Sequence, residues 1–205
     1  MSDMATEIVG TYEGLEYDAV TENVYGKVTK PDKVAVLADV RHKLDAGLGN
    51  ELMKKRRDLI DAAKDGLHKH EYSYELIIMG ALFMSLGAKI SDEDMQYMRQ
   101  ATSGITCSEG ITLLDIGWRG PGQRQFLAAL DHYTPGTPRN FSERSCHACG
   151  KTKVDIGRAL LRCSRCSSHA PGWLCDKECQ RSAWSDHKKV CGPPRDNGKF
   201  VMLNV

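Results

Sequence analysis

The sequence predicts a mainly α-helical bundle in the N-terminal part of the chain, followed by a small cysteine-rich unit. Three observations support this fold class. Apolar residues recur at steps of three and four through residues 31–132, which is the period of amphipathic helices. Seven of the eight cysteines lie between Cys146 and Cys191. Between these regions, residues 134–138 contain two prolines and a glycine, a composition typical of a linker.

The chain of 205 residues divides into five predicted parts. They are a flexible acidic arm (1–28), an α-helical domain (29–132), a linker (133–143), the cysteine-rich unit (144–192) and a C-terminal tail (193–205). The arm holds six acidic residues before its first basic one, Lys27, so little stable structure is expected from it alone. A short strand, or a segment that becomes ordered on a partner, is the alternative.

The first two predicted helices follow Pro31 and Asn50, which suit a first turn and an N-cap. Two glycines, Gly47 and Gly49, are expected to end the first helix. The apolar residues on its inner face are Val34, Leu37, Val40, Leu44 and Leu48. Those of the second helix are Leu52, Leu59, Ile60 and Ala63.

The third predicted helix, residues 71–86, is apolar on most sides, so we place it at the centre of the bundle. A subunit interface is the alternative. Ser91 and Asp94 resemble a capping box that opens a short fourth helix. Pro121 opens the last helix, whose expected core residues are Phe126, Leu127 and Leu130.

Three features of the helical region allow more than one interpretation. The basic run from Lys54 to Arg57 is interpreted as a solvated helix face, with a nuclear-import signal or a phosphate contact as alternatives. Cys107 has no identified base partner, which indicates a structural thiol rather than a nucleophile. Near it, Ile111 to Ile116 fits either a helix or a strand.

We expect an intracellular protein, in the nucleus or the cytoplasm, that does not contact a membrane. The first ten residues have no basic start and no apolar run, unlike a secretory signal. The longest apolar run, Leu76 to Leu86, is shorter than the ~18 residues that span a bilayer. Clustered cysteines in a reducing compartment bind metal more often than they form disulfides.

The cysteine-rich unit has the spacing of metal ligands. Four ligand pairs follow one another: Cys146 and Cys149, Cys163 and Cys166, Cys175 and Cys179, and His187 and Cys191. Zinc takes four such ligands in a tetrahedron, so the eight predict two closed Zn²⁺ sites with no open position for catalysis. A disulfide framework and an iron–sulfur cluster suit seven cysteines and a histidine less well. Spacing alone leaves sequential and interleaved pairing open.

Residues 146–191 resemble the MYND-type zinc finger in this spacing and in the run from Cys175 to Cys191, CDKECQRSAWSDHKKVC. The resemblance implies an interleaved, cross-braced fold. It assigns Cys146, Cys149, Cys175 and Cys179 to one zinc ion and Cys163, Cys166, His187 and Cys191 to the other. The gap from Ser167 to Leu174 is longer than usual for the family, which leaves the family's short hairpin unpredicted. His169 in this gap is interpreted as a surface residue.

MYND-type fingers are known mainly as non-enzymatic modules that bind short proline-containing peptides, often in corepressors. The resemblance therefore implies an adaptor, acting in transcriptional regulation or repression, whose helical domain binds a second protein or forms a homo-oligomer. Gln180 and Trp184 lie four residues apart on one helix face. Trp184 can pack against a proline ring while Gln180 bonds the peptide backbone. The alternative for Trp184 is the core of the finger.

Nucleic-acid binding is the alternative function, through the Lys54 to Arg57 run and the basic residues Arg162, Arg165, Arg181, Lys188 and Lys189. From residue 144 onward the formal charge is +7, but seven thiolates and two Zn²⁺ reduce it to about +4. Residues 1–143 show no glycine-rich cofactor loop, His-x-Asp iron motif or catalytic constellation, so we predict no enzymatic activity and no catalytic residue.

Overall fold

The structure, a computed structural model, describes residues 32–105, 120–166 and 171–192. These residues fall into two compact units. The first unit contains residues 32–105 together with Tyr133–Asn140, and the second contains residues 120–132 and the described residues from Phe141 onward. The described chain is mainly helical and ends in a cysteine-rich finger, which confirms the predicted fold class.

The first unit opens with two helices that are joined without a loop. Helix α1 (Lys33–Lys43) begins after Asp32, whose side chain accepts a hydrogen bond from a first-turn amide at 3.0 Å. The chain passes through one wide turn (Leu44–Leu48) directly into α2 (Gly49–Ala62). Gly47 has φ 130°, a conformation that glycine adopts without steric cost, so the chain bends there instead of leaving the helix.

The bend changes which residues face the core. The predicted N-cap, Asn50, lies inside α2 and is exposed, so that prediction is wrong. Val34 is 73% exposed, so the predicted inner face of α1 holds only towards its C-terminal end, where Val40 is buried. In α2, Met53 is buried to 1% exposure although the expected set does not contain it.

Helix α3 (Gly66–Leu86) is central to the first unit, as predicted. It begins at Asp65, whose side chain accepts a hydrogen bond from the His68 amide at 2.9 Å, and it ends at Gly87 in the left-handed conformation. It packs against α1, α2 and α4 (Asp92–Ser103). Its fully buried apolar side chains are Leu76, Ile77, Met79, Phe83 and Met84.

Helix α4 begins at the predicted N-cap. The Ser91 hydroxyl accepts a hydrogen bond from the Asp94 amide at 3.1 Å. The Asp94 carboxylate meets the Ser91 hydroxyl at 2.5 Å, whereas a full capping box would bring that carboxylate to the Ser91 amide. Only half of the predicted box is therefore seen in these contacts.

A buried ion pair links α2 to α3. The Arg56 guanidinium donates to the Glu75 carboxylate, and the two side chains are only 7% and 11% exposed. The guanidinium also lies 5.7 Å from the centroid of the Tyr72 ring. Arg56 follows Met53 by three residues and precedes Ile60 by four, so helix geometry places it on the buried face that these two residues form.

Arg57 faces α4, where it pairs with two acidic side chains. It donates to the Glu93 carboxylate, and its Nε lies 3.2 Å from Asp94 Oδ1. These acidic neighbours raise the pKa of Arg57 against the opposing effect of burial. The interpretation of the Lys54 to Arg57 run as a solvated face is therefore wrong for its two arginines, because tertiary partners bind them.

The end of α3 is covered by Tyr133–Asn140, which lies within the predicted linker. Three hydrogen bonds hold it there, with donors Tyr133, Gly136 and Arg139 and with acceptors the carbonyl oxygens of Ala88, Gly87 and Met84. The compact units thus do not divide the chain at the predicted boundaries. That residues 29–132 and 144–192 fold independently stays a prediction.

The second unit is built from short elements. They are α5 (Gly120–His132), α6 (Lys153–Ile156), β1 (Leu161–Arg162), β2 (Trp173–Leu174), α7 (Lys177–Ser182) and α8 (Trp184–Val190). The two strands pair antiparallel with Leu161 opposite Leu174, so the short hairpin that the sequence left unpredicted is present. Of the predicted inner residues of α5, Phe126 and Leu130 are buried and Leu127 is half-buried.

Several predictions fall outside the described residues. They concern the acidic arm, Cys107, Ile111 to Ile116, His169 and the C-terminal tail. Among the helices that the structure does describe, none combines the length and the apolar character needed to cross a membrane.

Candidate metal centre

A tight turn places the first two cysteines of the finger side by side. The Cys146 amide donates to the Lys151 carbonyl, and the Gly150 amide donates to the Cys146 carbonyl, both at 2.8 Å. These bonds fold Cys146 and Cys149 into a single knuckle. The next residue along, His147, donates its amide to the Trp173 carbonyl at 2.8 Å, which ties the knuckle to β2.

The start of α7 supplies two further cysteines. Asp176 caps this helix by accepting a hydrogen bond from the Cys179 amide at 2.8 Å. This bond lowers the pKa of the Asp176 carboxyl group and keeps it charged. Cys175 directly precedes the cap and Cys179 lies in the first helical turn, so both thiols lie at the same end of α7.

The first cluster consists of Cys146, Cys149, Cys175 and Cys179, whose sulfurs all lie within 4.8 Å of one another. The Cys149 sulfur is 3.5 Å from that of Cys175 and 3.9 Å from that of Cys179. Cys146 is fully buried and forms a small apolar cluster with Leu174 and Cys175.

The second cluster consists of Cys163, Cys166, His187 and Cys191, again within 4.8 Å of one another. The end of β1 and the following turn supply the first two, and the C-terminal half of α8 with the residue after it supplies the others. The Cys166 sulfur lies 3.4 Å from His187 Nε2, and the Cys163 sulfur lies 3.7 Å from that of Cys191.

These distances fit tetrahedral zinc. Sulfurs at ~2.3 Å from a zinc ion, at the corners of a tetrahedron, are ~3.8 Å apart, and an imidazole nitrogen comes slightly closer. The observed separations of 3.5–3.9 Å between sulfurs match this edge. A disulfide needs sulfurs at ~2.05 Å, and the seven cysteines of the clusters are free. The ligands alternate along the chain, so the two sites are cross-braced.

The thiols hold some of their protons when no metal is bound. Burial and the neighbouring Cys146 raise the pKa of Cys179 to about 12, and burial and two neighbouring thiols raise that of Cys191 to about 11. For Cys163, burial opposes ionisation, but hydrogen bonds from His187, the Arg165 backbone and two neighbouring thiols together outweigh it, and the pKa falls to about 6. Zinc binds thiolates, so its binding releases the remaining protons.

Comparison with known families agrees with this geometry. Residues 146–191 match the model of the MYND finger family. The C-terminal segment is a MYND finger. Such a finger is a protein-interaction domain, and the two clusters are consistent with its two Zn²⁺ ions. The match includes less than a quarter of the chain, so it describes the finger and not the first compact unit.

One similar protein is human Egl nine homolog 1, which is 46% identical over 66 residues. The alignment covers 31% of this chain and 13% of the human protein. Since the alignment covers so small a part of the human protein, the similarity concerns one segment, and the activity of the human protein cannot be assigned to this chain. No solved structure matches the chain.

Gly172 positions a ligand of the MYND finger, a role that the sequence pattern did not indicate. It directly precedes β2, and its carbonyl accepts a hydrogen bond from the Cys163 amide at 2.8 Å. A Cβ added to Gly172 would lie 2.5 Å from His187 Cε1 and 3.2 Å from both ring nitrogens. The imidazole therefore occupies the space that any other side chain would need.

We expect Gly172→Ala to displace His187 and weaken the second zinc site by roughly 10- to 100-fold, the usual effect of disturbing a ligand's support. The first cluster should keep its zinc, because the three heavy atoms nearest to this Cβ all belong to His187, a ligand of the second cluster. Titration with a zinc chelator measures both sites. Gly122→Ala, where the added Cβ meets nothing within 4 Å, is the control. Equal retention of zinc by the two variants would contradict this role.

Gln180 and Trp184, the predicted peptide-binding residues, line one groove of the MYND finger. The groove has a volume of about 490 Å³ and is lined by Cys163, Ser164, Arg165, Lys177, Gln180, Arg181 and Trp184. The two residues do not share a helix, because α7 ends at Ser182 and α8 begins at Trp184. Trp184 is 38% exposed, and its ring centroid lies 6.0 Å from that of His187.

Proposed function

We propose that this protein is a non-enzymatic adaptor whose MYND finger binds short, proline-containing motifs of partner proteins through the groove between Gln180 and Trp184. The exposure of the Trp184 indole carries this proposal. An indole that only filled the finger's core would be buried, whereas this one remains open beside a groove large enough for several peptide residues.

The two side chains have complementary chemistry for an extended peptide. The Trp184 ring rests against His187, a zinc ligand, so its orientation is supported by the second metal site. A rigid aromatic face of this kind packs well against a proline ring. The Gln180 amide, which is half-buried beside it, can donate to a backbone carbonyl and accept from a backbone amide of the peptide.

The charge of the groove favours motifs with acidic residues. Arg165, Lys177 and Arg181 line it, and none of the described residues that line it is an Asp or a Glu. Lys188 is also exposed on α8. A partner with an acidic side chain next to its proline would therefore bind faster and in better register than a neutral one.

We expect Trp184→Ala to weaken peptide binding by about 2 kcal/mol or more, as is common for a central aromatic anchor, and Gln180→Ala to weaken it by about 1 kcal/mol. An array of short proline-containing peptides, with and without acidic residues, is screened against the full chain. Fluorescence anisotropy then gives the affinities of the wild type and both variants.

Val154→Ala is the control, because Val154 is a 68% exposed apolar residue that does not line the groove. The peptide affinity of Val154→Ala should equal that of the wild type. Zinc content should stay at two per chain in all variants. If Trp184→Ala loses zinc together with binding, the indole is part of the finger's core and the proposal fails.

An adaptor needs no catalytic group, and two closed metal sites are compatible with such a non-enzymatic role. In the part of the chain that the structure describes, the groups of side chains able to hold a metal are the two clusters. Each already has four ligands, which leaves no coordination position for a substrate. Action in transcriptional repression, and in the nucleus, stays a prediction from the family resemblance.

Nucleic-acid binding has less support. In the basic run of α2, Lys54 pairs with Asp58 at 2.8 Å, Arg56 with Glu75, and Arg57 with Glu93. These acidic partners oppose phosphate binding at the same cations. A filter-binding series in salt separates the two functions, since binding to phosphates weakens steeply as salt is raised.

The helical unit is the proposed site for a second copy of the chain or a second protein. Ile78 and Leu82 lie four residues apart on α3 and are 39% and 37% exposed, although most of this helix is buried. The oligomeric state itself stays a prediction.

A further inference from the structure

The surface of the finger around Gly150 is in contact with the backbone of α5. Gly150 is buried at the end of the Cys146–Cys149 knuckle and has φ +78°. A Cβ at this position would overlap the carbonyl group of Arg124 and the amide nitrogen of Gln125. The helix backbone and the knuckle backbone therefore touch directly, which only glycine permits.

Side chains of α5 complete this contact. The side-chain amide of Gln125 donates to the carbonyl oxygens of Phe141 and Glu143, at 3.2 and 3.1 Å. The Phe126 ring is 2% exposed and stacks with the Phe141 ring, with centroids 6.4 Å apart and planes at 27°. Two hydrogen bonds and a ring stack thus join α5 to the segment that leads into the first knuckle, and the backbone contact joins α5 to the end of that knuckle.

Within the finger, the knuckle is supported by the hydrogen bond from His147 to Trp173 and by a small apolar cluster. Among the described residues of the finger, this cluster consists of Cys146, Leu174 and Cys175, with small or half-buried side chains around them. Two of these three residues, Cys146 and Cys175, are themselves ligands of the first zinc cluster. A small unit with so little core depends on every packed neighbour that limits motion of its metal ligands.

We propose that the surface around Gly150 is a helix-docking site, that its occupant is residues 120–132 of the same chain, and that this docking holds Cys146 and Cys149 in the geometry of the first zinc site. The working module of this protein is then longer than the matched segment 146–191 and begins with α5. Because α5 lies outside the ligand pattern and contributes no ligand, the spacing of the ligands could not predict this docking.

Two glycine variants of the full chain test the docking. In Gly150→Ala the added methyl group would overlap the backbone of Arg124. Gly157 has a similar positive φ (+65°), but a Cβ added there has no heavy atom within 4 Å, so Gly157→Ala is the control. Both carry the same strain of a left-handed alanine, so their difference reports the helix contact. We expect Gly150→Ala to lose affinity for one zinc by roughly 10- to 100-fold relative to Gly157→Ala.

Cadmium NMR of the cadmium-loaded protein identifies the site, because a four-sulfur and a three-sulfur site give separate signals. The signal of the four-sulfur cluster should broaden or vanish in Gly150→Ala, while that of the second cluster remains. Equal zinc affinities and equal spectra in the two variants would overturn the proposal.

A second pair of variants decides the matter if Gly150→Ala fails to fold. Phe126→Ala removes the ring that stacks on Phe141, and Leu127→Ala removes a neighbouring, half-buried side chain of the same helix. Transfer of zinc to a chromogenic chelator should be faster for one of the two ions in Phe126→Ala, by roughly tenfold, and unchanged in Leu127→Ala. Identical transfer rates in both variants would show that α5 is not part of the metal module.

Discussion

Removal of zinc is expected to unfold the MYND finger while α1 to α4 remain helical. Structural zinc contributes about 10–16 kcal/mol to small domains of this kind at neutral pH, which exceeds what the small apolar cluster around Leu174, in the described part of the finger, can supply. None of the ligands lies in the first compact unit, so its helices lose no support from their own residues. The loss of structure should therefore be partial.

Chelation followed by circular dichroism and tryptophan fluorescence measures this effect. Most of the helical signal should persist, since α1 to α4 contain most of the described helical residues. The emission of Trp173 and Trp184 in the finger should move towards that of exposed indoles. Metal analysis before chelation should give two zinc ions per chain, and addition of zinc afterwards should restore the spectra. A zinc content of one or none, or a complete loss of helicity, would contradict the assignment.

Arg56→Ala is expected to destabilise the helical unit by about 3–5 kcal/mol, the usual cost of breaking a buried ion pair. The substitution leaves the Glu75 carboxylate nearly buried, at 11% exposure, without its partner. It also removes the guanidinium from the face of Tyr72. Urea unfolding, followed by the helical signal at equilibrium, measures the change in the free energy of unfolding.

Lys54→Ala is the matched control in the same helix. Its ion pair with Asp58 is also between α-helical residues, but the two side chains are 70% and 62% exposed, so its loss should cost about 0.5 kcal/mol or less. The double variant Arg56→Met with Glu75→Leu should recover much of the stability, because it removes both charges from the interior. Equal destabilisation by Arg56→Ala and Lys54→Ala would mean that the buried pair has no special weight.

The sequence by itself determined the metal chemistry. Structural zinc sites are usually built from cysteines and histidines that come in close pairs, so the spacing from Cys146 to Cys191 identified all eight residues that the structure brings together. The sequence also predicted the central helix, since α3 has no polar side along residues 76–84 and a helix of that kind is stable only when surrounded. These features are local, because they depend on residue type and short separations.

Only the tertiary structure decided how distant residues meet. Arg56 carries a charge in a basic run, so its burial depends on Glu75, nineteen residues away on another helix. In the sequence, Gly150 and Gly172 look like ordinary turn glycines. In the structure, a side chain at either position would clash, because Arg124 lies against Gly150 and His187 lies against Gly172. A side chain's own chemistry shows which ligands and partners it prefers, whereas the space around it is set by whatever the fold packs there.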